Sequence, residues 1–221
     1  MIPRQPLADL GPVAQLRAGR LPRRLVQLYA GLLLYGASLA LMVRAELGLA
    51  PWDVLHSGFI RHVPITLGQA VILFSVLVLL LWIPLHEQPG LGTVSNAIVV
   101  GLAADATLAV LAAPDQLALR ILMMVAGVVL NGLATALYIG AQLGRGPRDG
   151  LMTGLARVTG GSLRLVRTGL EVGVVVVGLL LGGALGVGTV LYAVLIGPLA
   201  QAMLPACVVA VPDARPDAPS A

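Results

Sequence analysis

Proline and aspartate recur together in two short segments of this chain. Pro51 is followed by Asp53, and Pro147 is followed by Asp149, at an offset of 96 residues (147 − 51). Proline suits the first turn of a helix, and an aspartate in that turn faces the positive end of the helix dipole. The pattern therefore predicts two short helices that begin at the prolines, each with a carboxylate near its N-terminus.

Glycines before both prolines predict a break in the preceding helix. Gly48 and Gly144 can adopt the left-handed conformation that ends a helix. Two interpretations stay open for each segment: a capped connector with a short interfacial helix, or a broken, partly re-entrant helix whose end coordinates a substrate or ion. In the second, the glycines and prolines act as hinges, and the solute pathway includes Asp53, Arg148 and Asp149.

Two further groups of polar residues lie inside apolar segments, where such residues are costly and usually face protein or water. Asp105 and Gln201 differ by the same offset (201 − 105). The carboxyl of Asp105 either carries a proton or contributes to a cation site, or it is protonated and bonded to another helix. Arg167 lies four positions before Glu171. This pair is either a gate or charge-compensated anion site, or an arginine that extends to the headgroups while neutralising the glutamate.

The composition identifies a membrane protein. Apolar residues make up 58% of the 221 residues and charged residues only 11%, with a mean hydropathy of +0.95. Soluble domains carry about 25% charged residues. Since about 20 residues cross a bilayer core, we predict an all-α fold with six membrane spans: 25–45, 67–85, 92–112, 119–141, 165–183 and 188–209.

The offset of 96 residues holds for most of the chain, which indicates a duplicated unit. It pairs glycine with glycine at 36 and 132, arginine with arginine at 61 and 157, and threonine with threonine at 93 and 189. We therefore expect two membrane repeats, 23–112 and 119–209, between cytoplasmic disordered tails, 1–22 and 210–221.

Arginine distribution predicts the orientation. All 14 basic residues are arginines. With six spans, five precede the first, five lie between the fourth span and the first turn of the fifth, and one lies in the C-terminal tail, all on one side. Arg44, Arg61 and Arg120 fall on the other. The positive-inside rule then places both termini in the cytoplasm. Three spans in each copy make the repeats inverted, with any binding site where the copies meet.

Several chemistries lack the residues they need. Cys207 is the only cysteine, so neither a disulfide nor a cysteine-based metal site is expected, and no nucleophile with a supporting base is visible. We predict no enzyme activity, no cofactor and no metal. Anionic lipid accounts for the net charge of +4 without nucleic acid.

Four strings of the sequence resemble a known membrane family: LGLAPWDVLHSG, LGRGPRDGLMTG, SLRLVRTGLE and LGVGTVLYAVLIGPLAQ. They are similar to the YczE-type membrane proteins, related to the wider YitT grouping, over about residues 20–205. The resemblance implies a multi-pass protein of the bacterial inner membrane with five or six helices and no established activity.

The sequence thus favours a small secondary transporter or permease-like protein for a small solute. The alternative is a non-transporting scaffold or regulatory partner of another membrane complex. A homodimer is compatible with either. Polar residues within the spans, including Asn131, Tyr138 and Tyr192, are expected to bond across helices.

Overall fold

The computed structural model describes Leu7 and residues 10–211. Over these residues the chain forms helices without strands: α1 Pro12–Arg17, α2 Leu21–Ala45, α3 Pro51–Phe59, α4 Leu67–Leu85, α5 Leu91–Val110, α6 Leu117–Gly140, α7 Pro147–Thr159, α8 Leu163–Leu180 and α9 Val187–Cys207. The predicted C-terminal tail lies outside the described residues from position 212 onward. In the described part of the predicted N-terminal tail, α1 is helical and α2 already begins at Leu21, so that part is ordered as helix.

The order of helices α2 to α5 recurs as α6 to α9. The short helices α3 and α7 begin at Pro51 and Pro147, as predicted, at an offset of 96 residues (147 − 51). The other three pairs of helices begin at positions separated by the same offset. The local signals for helix starts are therefore repeated along the chain, in agreement with the sequence alignment of the two halves.

Among the described residues, five helices are long and apolar enough to cross a membrane, namely α2, α4, α5, α6 and α9. The predicted span 165–183 corresponds to α8, which is helical over 18 residues. Its three charged residues, Arg164, Arg167 and Glu171, lie within 18 residues, whereas the three arginines of the longer α2 lie at its two ends. Many apolar side chains point outward on these helices, including those of Leu80, Val110 and Val194. Such a surface fits contact with a lipid bilayer.

The central pair of helices, α2 and α6, is antiparallel. Arg24 near the start of α2 donates a hydrogen bond of 2.6 Å to the carbonyl oxygen of Gln142, just past the end of α6. Arg120 near the start of α6 forms an ion pair of 2.9 Å with Glu46, just past the end of α2. Arg120 and Gln142 are the equivalents, 96 residues on, of Arg24 and Glu46. The two contacts are therefore mirror-related, one at each end of the pair.

Each central helix packs closely on the last helix of its own half. A Cβ atom added at Gly36 of α2 would lie 2.5 Å from the carbonyl oxygen of Val100 in α5, and one added at Gly132 of α6 would lie 2.9 Å from Leu199 in α9. The two helices of each pair are parallel, because later residues of one helix contact later residues of the other. The main apolar core lies between the four helices and includes Leu28, Leu32, Leu39, Met124 and Val128.

The short helices pack into the opposite half of the chain. A Cβ atom added at Gly178 of α8 would lie 2.6 Å from the backbone nitrogen of Leu55 in α3. The indole nitrogen of Trp82 in α4 donates a hydrogen bond of 2.9 Å to the carbonyl oxygen of Pro147 in α7. The two halves therefore interlock, with α3 against α8 and α7 against α4.

The connections before the short helices differ from the predicted helix caps. The left-handed residues at the ends of α2 and α6 are Glu46 and Gln142, both with φ of 54°. The glycine positions come two residues later, where Gly48 and Gly144 have φ of 119° and 128°. The prediction that these glycines cap the helices was therefore wrong by two residues. They permit the chain to turn back towards the opposite half, since an added Cβ at Gly48 would lie 2.8 Å from the backbone nitrogen of Gly186.

Candidate functional site

A cavity of about 250 Å³ lies where the two halves meet. Every helix from α2 to α9 contributes to its lining, which includes both prolines that begin the short helices. Tyrosine rings line it from three helices, at Tyr35, Tyr138 and Tyr192. The cavity is therefore the place where the repeated segments predicted to carry function converge.

The short helices begin at the cavity and extend away from it. Pro51 and Pro147 line the cavity together with the residues that precede them, Ala50 and Gly146. The later turns of α7 follow the end of α4, where Arg157 forms an ion pair of 3.0 Å with Glu87. Because the positive end of a helix dipole is its N-terminus, both short helices direct this end at the cavity.

Arg148 and Trp52 occupy equivalent positions in the two halves (148 − 52 = 96) and contact each other. The guanidinium carbon of Arg148 lies 5.0 Å from the centroid of the Trp52 ring. Both residues line the cavity. This contact joins the first turns of α3 and α7 at the point where the halves meet.

The two repeated aspartates have different environments. Asp149 lines the cavity and accepts a hydrogen bond from the hydroxyl of Tyr138. Asp53 is only 2% exposed and lies behind the lining, 3.0 Å from Nδ1 of His56. The Nε2 atom of that histidine is buried and has no hydrogen-bond partner among the described residues. Of the two predicted carboxylates, the structure thus places Asp149 at the cavity and Asp53 in its supporting wall.

The predicted pair of Arg167 and Glu171 is present and lines the cavity. Their Nε and Oε1 atoms are 2.9 Å apart within α8. The side chain of Arg167 is 43% exposed and that of Glu171 is 22% exposed. The pair therefore brings two opposite and mutually compensated charges to the edge of the cavity.

Asp105 and Gln201 are not brought together. Gln201 lines the cavity. Asp105 accepts hydrogen bonds from the hydroxyl of Thr66 and from the backbone nitrogen of Gly68, the latter at 2.8 Å. It thus binds the first turn of α4 and is absent from the lining. The bond to another helix that the second interpretation expects is thus present, with α4 as the partner, and the protonation of this carboxyl stays a prediction.

Other polar groups connect the cavity to the central helices. The hydroxyl of Tyr192 donates a hydrogen bond of 3.0 Å to Asn131, which in turn donates one of 2.7 Å to Ser38. The cross-helix bonding expected of Asn131, Tyr138 and Tyr192 is therefore present. Sequence reasoning missed Tyr35 and Trp52 as lining residues. The offset that pairs Trp52 with Arg148 was the available signal for the latter.

Comparisons with known proteins place the chain among membrane proteins without a known activity. The model described as "Family of unknown function (DUF6198)" matches residues 22–205. An "Uncharacterized protein" of Haemophilus influenzae is 42% identical over 164 residues, which cover 74% of this chain and 75% of that protein. The "Uncharacterized membrane protein YczE" of Bacillus subtilis is 33% identical over 180 residues, covering 80% and 83% respectively. No solved structure matches the chain.

These matches confirm the resemblance to YczE-type proteins that the sequence motifs indicated. The relation to the YitT grouping stays a prediction. Since none of the relatives is named for an activity, the function is argued from the cavity and the helices around it.

Proposed function

The chain belongs to the family of unknown function DUF6198, and we propose that it is a small secondary transporter of the bacterial inner membrane. The observation that carries the proposal is the convergence of two equivalent short helices, one from each half, on a single cavity with charged walls. Secondary transporters bind substrates at the interface of inverted repeats, next to the ends of broken helices. The cavity occupies the corresponding place in this chain.

The proposed architecture is a pair of inverted repeats with both termini in the cytoplasm. Its support is the antiparallel pairing of the equivalent helices α2 and α6, mirrored at Arg24 and Arg120. The arginine distribution gives the orientation. In this arrangement the loop after α3 faces the outside, and the loop after α7 faces the cytoplasm.

The proposed sixth span is α8. Its charged pair, Arg167 and Glu171, is compensated internally at 2.9 Å and lies at the cavity. Ionisable residues in membrane helices usually pair with each other and face a cavity or the bundle interior. A helix of this composition can therefore cross the bilayer although its charged residues lie within the span.

The short helices are proposed to re-enter the membrane. Seven of the nine residues of α3 are buried in protein. At about 1.5 Å of rise per residue, a helix of this length spans less than half of a bilayer core of about 30 Å. Irregular backbone at membrane depth is tolerated where protein or a cavity surrounds it, which is the environment of Ala50 and Gly146.

A secondary transporter exposes its site to one side of the membrane and then to the other. Ser75 of α4 lines the cavity, so Ser75→Cys in a Cys207→Ser background reports access without knowledge of the substrate. We expect a membrane-impermeant thiol reagent to label this variant both in intact cells and in inside-out vesicles. Transport by alternating access requires both results.

A matched control is Ser38→Cys, since Ser38 is buried between α2 and α6 and should be labelled from neither side. Labelling of Ser75→Cys from one side only, or from neither, would contradict transport. That outcome favours the alternative function, a non-transporting scaffold, which predicts a stoichiometric partner in a mild-detergent pull-down.

A further inference from the structure

We infer that the cavity recognises a small monocarboxylate, and that Arg148 binds its carboxylate group. The inference rests on the proposed function, because it names the class of solute that the same cavity takes. Three observations support it: which charged side chains of the lining have partners, the contact of Arg148 with Trp52, and the direction of the short helices.

Arg148 differs from the other charged residues of the lining. Arg167 and Glu171 pair with each other, and Asp149 accepts the hydroxyl of Tyr138. Over the described residues, Arg148 has neither a hydrogen bond nor an ion pair, and its contact is with the ring of Trp52. A guanidinium in the lining without an acceptor from the protein has its donors free for a ligand. An anionic ligand supplies the missing acceptor.

Trp52 orients the guanidinium and adds a second donor. Stacking on an aromatic ring fixes the plane of an arginine side chain and leaves its edge free. That edge presents parallel N–H groups whose spacing matches the two oxygens of a carboxylate. The indole nitrogen of Trp52, a residue only 7% exposed, is buried and has no hydrogen-bond partner among the described residues. Two residues of the lining that contact each other thus both carry donors without an acceptor among the described residues.

The helix ends add to the positive potential. Both α3 and α7 begin at the cavity, and each helix N-terminus is equivalent to about half a positive charge. Backbone N–H groups at such ends bind anions readily. Two converging N-termini beside the unpaired Arg148 therefore favour negative charge at the centre of the cavity.

Asp149 limits how much negative charge the cavity accepts. Its carboxylate lies in the lining beside Arg148 and already has one partner, Tyr138. Asp53 contributes less, because it is buried behind the lining with His56. Since like charges repel, a ligand with one negative charge suits this site better than a phosphate dianion or a dicarboxylate.

The cavity volume restricts the ligand to a small molecule. About 250 Å³ is below the usual range of about 300–1,000 Å³ for the pockets of drug-sized ligands. Apolar side chains are part of the lining, among them Val71, Val100 and Ile196. A short aliphatic chain or a single ring fits beside the carboxylate.

The test measures protection of Ser75→Cys, in the Cys207→Ser background, from the thiol reagent. Three probes of matched size differ in charge: butyrate, butyramide and butylammonium. We expect butyrate to slow labelling and the other two to leave its rate unchanged. Arg148→Gln should raise the butyrate concentration that halves the labelling rate by at least about tenfold, the loss expected for a charge-assisted hydrogen bond.

Further variants separate charge, geometry and folding. Arg148→Lys keeps the charge but not the paired donors, so its butyrate requirement should lie between those of the wild type and Arg148→Gln. Arg61→Gln is the control, because Arg61 is exposed and outside the lining. In this variant butyrate should slow labelling as it does without the substitution. Two-sided labelling of the Arg148 variants without a probe shows that they fold.

Equal protection by butyramide, protection by butylammonium alone, or protection by none of the three would each overturn the inference. Retention of butyrate protection in Arg148→Gln would also overturn it. If the chain is a transporter, Ser75→Cys is still labelled from both sides without a probe in each of these cases. The solute class can thus fail while transport stands, whereas one-sided labelling contradicts transport whatever the probes do.

Discussion

At the scale of single residues, the equivalent aspartates show why identical motifs acquire different roles. Three positions after Asp53 the chain has His56, whereas three positions after Asp149 it has Met152. Asp53 therefore has a partner within its own helix, and Asp149 takes its partner, Tyr138, from α6. The repeated motif predicted a carboxylate near the start of each short helix. The surroundings of the two carboxylates depend instead on side chains that the two halves do not share.

Removing the partner of a buried carboxylate should be costly. We expect His56→Met, which copies the residue of the second half, to lower stability by about 1–3 kcal/mol, because the buried Asp53 then loses its hydrogen-bond partner. Thermal unfolding in detergent measures the effect. The double variant His56→Met/Asp53→Asn should regain part of the loss. A double variant no more stable than His56→Met would contradict this account of the pair.

Trp82 depends on a glycine opposite its ring. A Cβ atom added at Gly150 would lie 1.9 Å from a ring carbon of Trp82, and the ring is held by its hydrogen bond to Pro147. Gly150→Ala should therefore lower stability by about 1–3 kcal/mol through overpacking. The control is Gly173→Ala, because no atom lies within 4 Å of a Cβ added there. Equal unfolding temperatures for the two variants would refute the proposed packing.

At the scale of helices, local sequence signals predicted where the short helices begin, but they did not predict which helices pack against them. Pro51 and Pro147 mark the starts of α3 and α7 because proline stabilises a first helical turn wherever the chain places it. The packing of α3 on α8 and of α7 on α4 depends instead on close approaches at glycines such as Gly178. Sequence alone could not identify those distant partners, since glycines are frequent throughout the chain.

Two equivalent glycines should be equally sensitive if the halves interlock symmetrically. A Cβ atom added at Gly90 would lie 2.6 Å from the carbonyl oxygen of Leu143, and one added at Gly186 would lie 2.3 Å from that of Leu47. We expect Gly90→Ala and Gly186→Ala each to lower the unfolding temperature in detergent, with similar losses of about 1–3 kcal/mol.

Gly197→Ala provides the control for these variants, because no atom lies within 4 Å of a Cβ added at that position in α9. A loss in only one of the equivalent variants would show that the two connections are not interchangeable. An unchanged stability in both would remove the close approach from the account of the fold.

At the scale of the whole molecule, the chain is two interlocked sets of four helices around a shared cavity. The sequence indicated the duplication, and the structure repeats it in the helix starts and in the mirrored arginine contacts. The cavity could not be predicted from the sequence, because its lining comes from eight helices that are distant along the chain. The proposed inversion across the membrane would link this repetition to the proposed transport.

His62 and Val158 test the inversion most directly, because both are exposed and they occupy equivalent positions (158 − 62 = 96). His62 follows the end of α3, and Val158 lies at the end of α7. Each is replaced by cysteine in the Cys207→Ser background and treated with a membrane-impermeant thiol reagent in intact cells and in inside-out vesicles. The account predicts that His62→Cys is labelled only in intact cells and Val158→Cys only in inside-out vesicles. Labelling of both variants from the same side would contradict it.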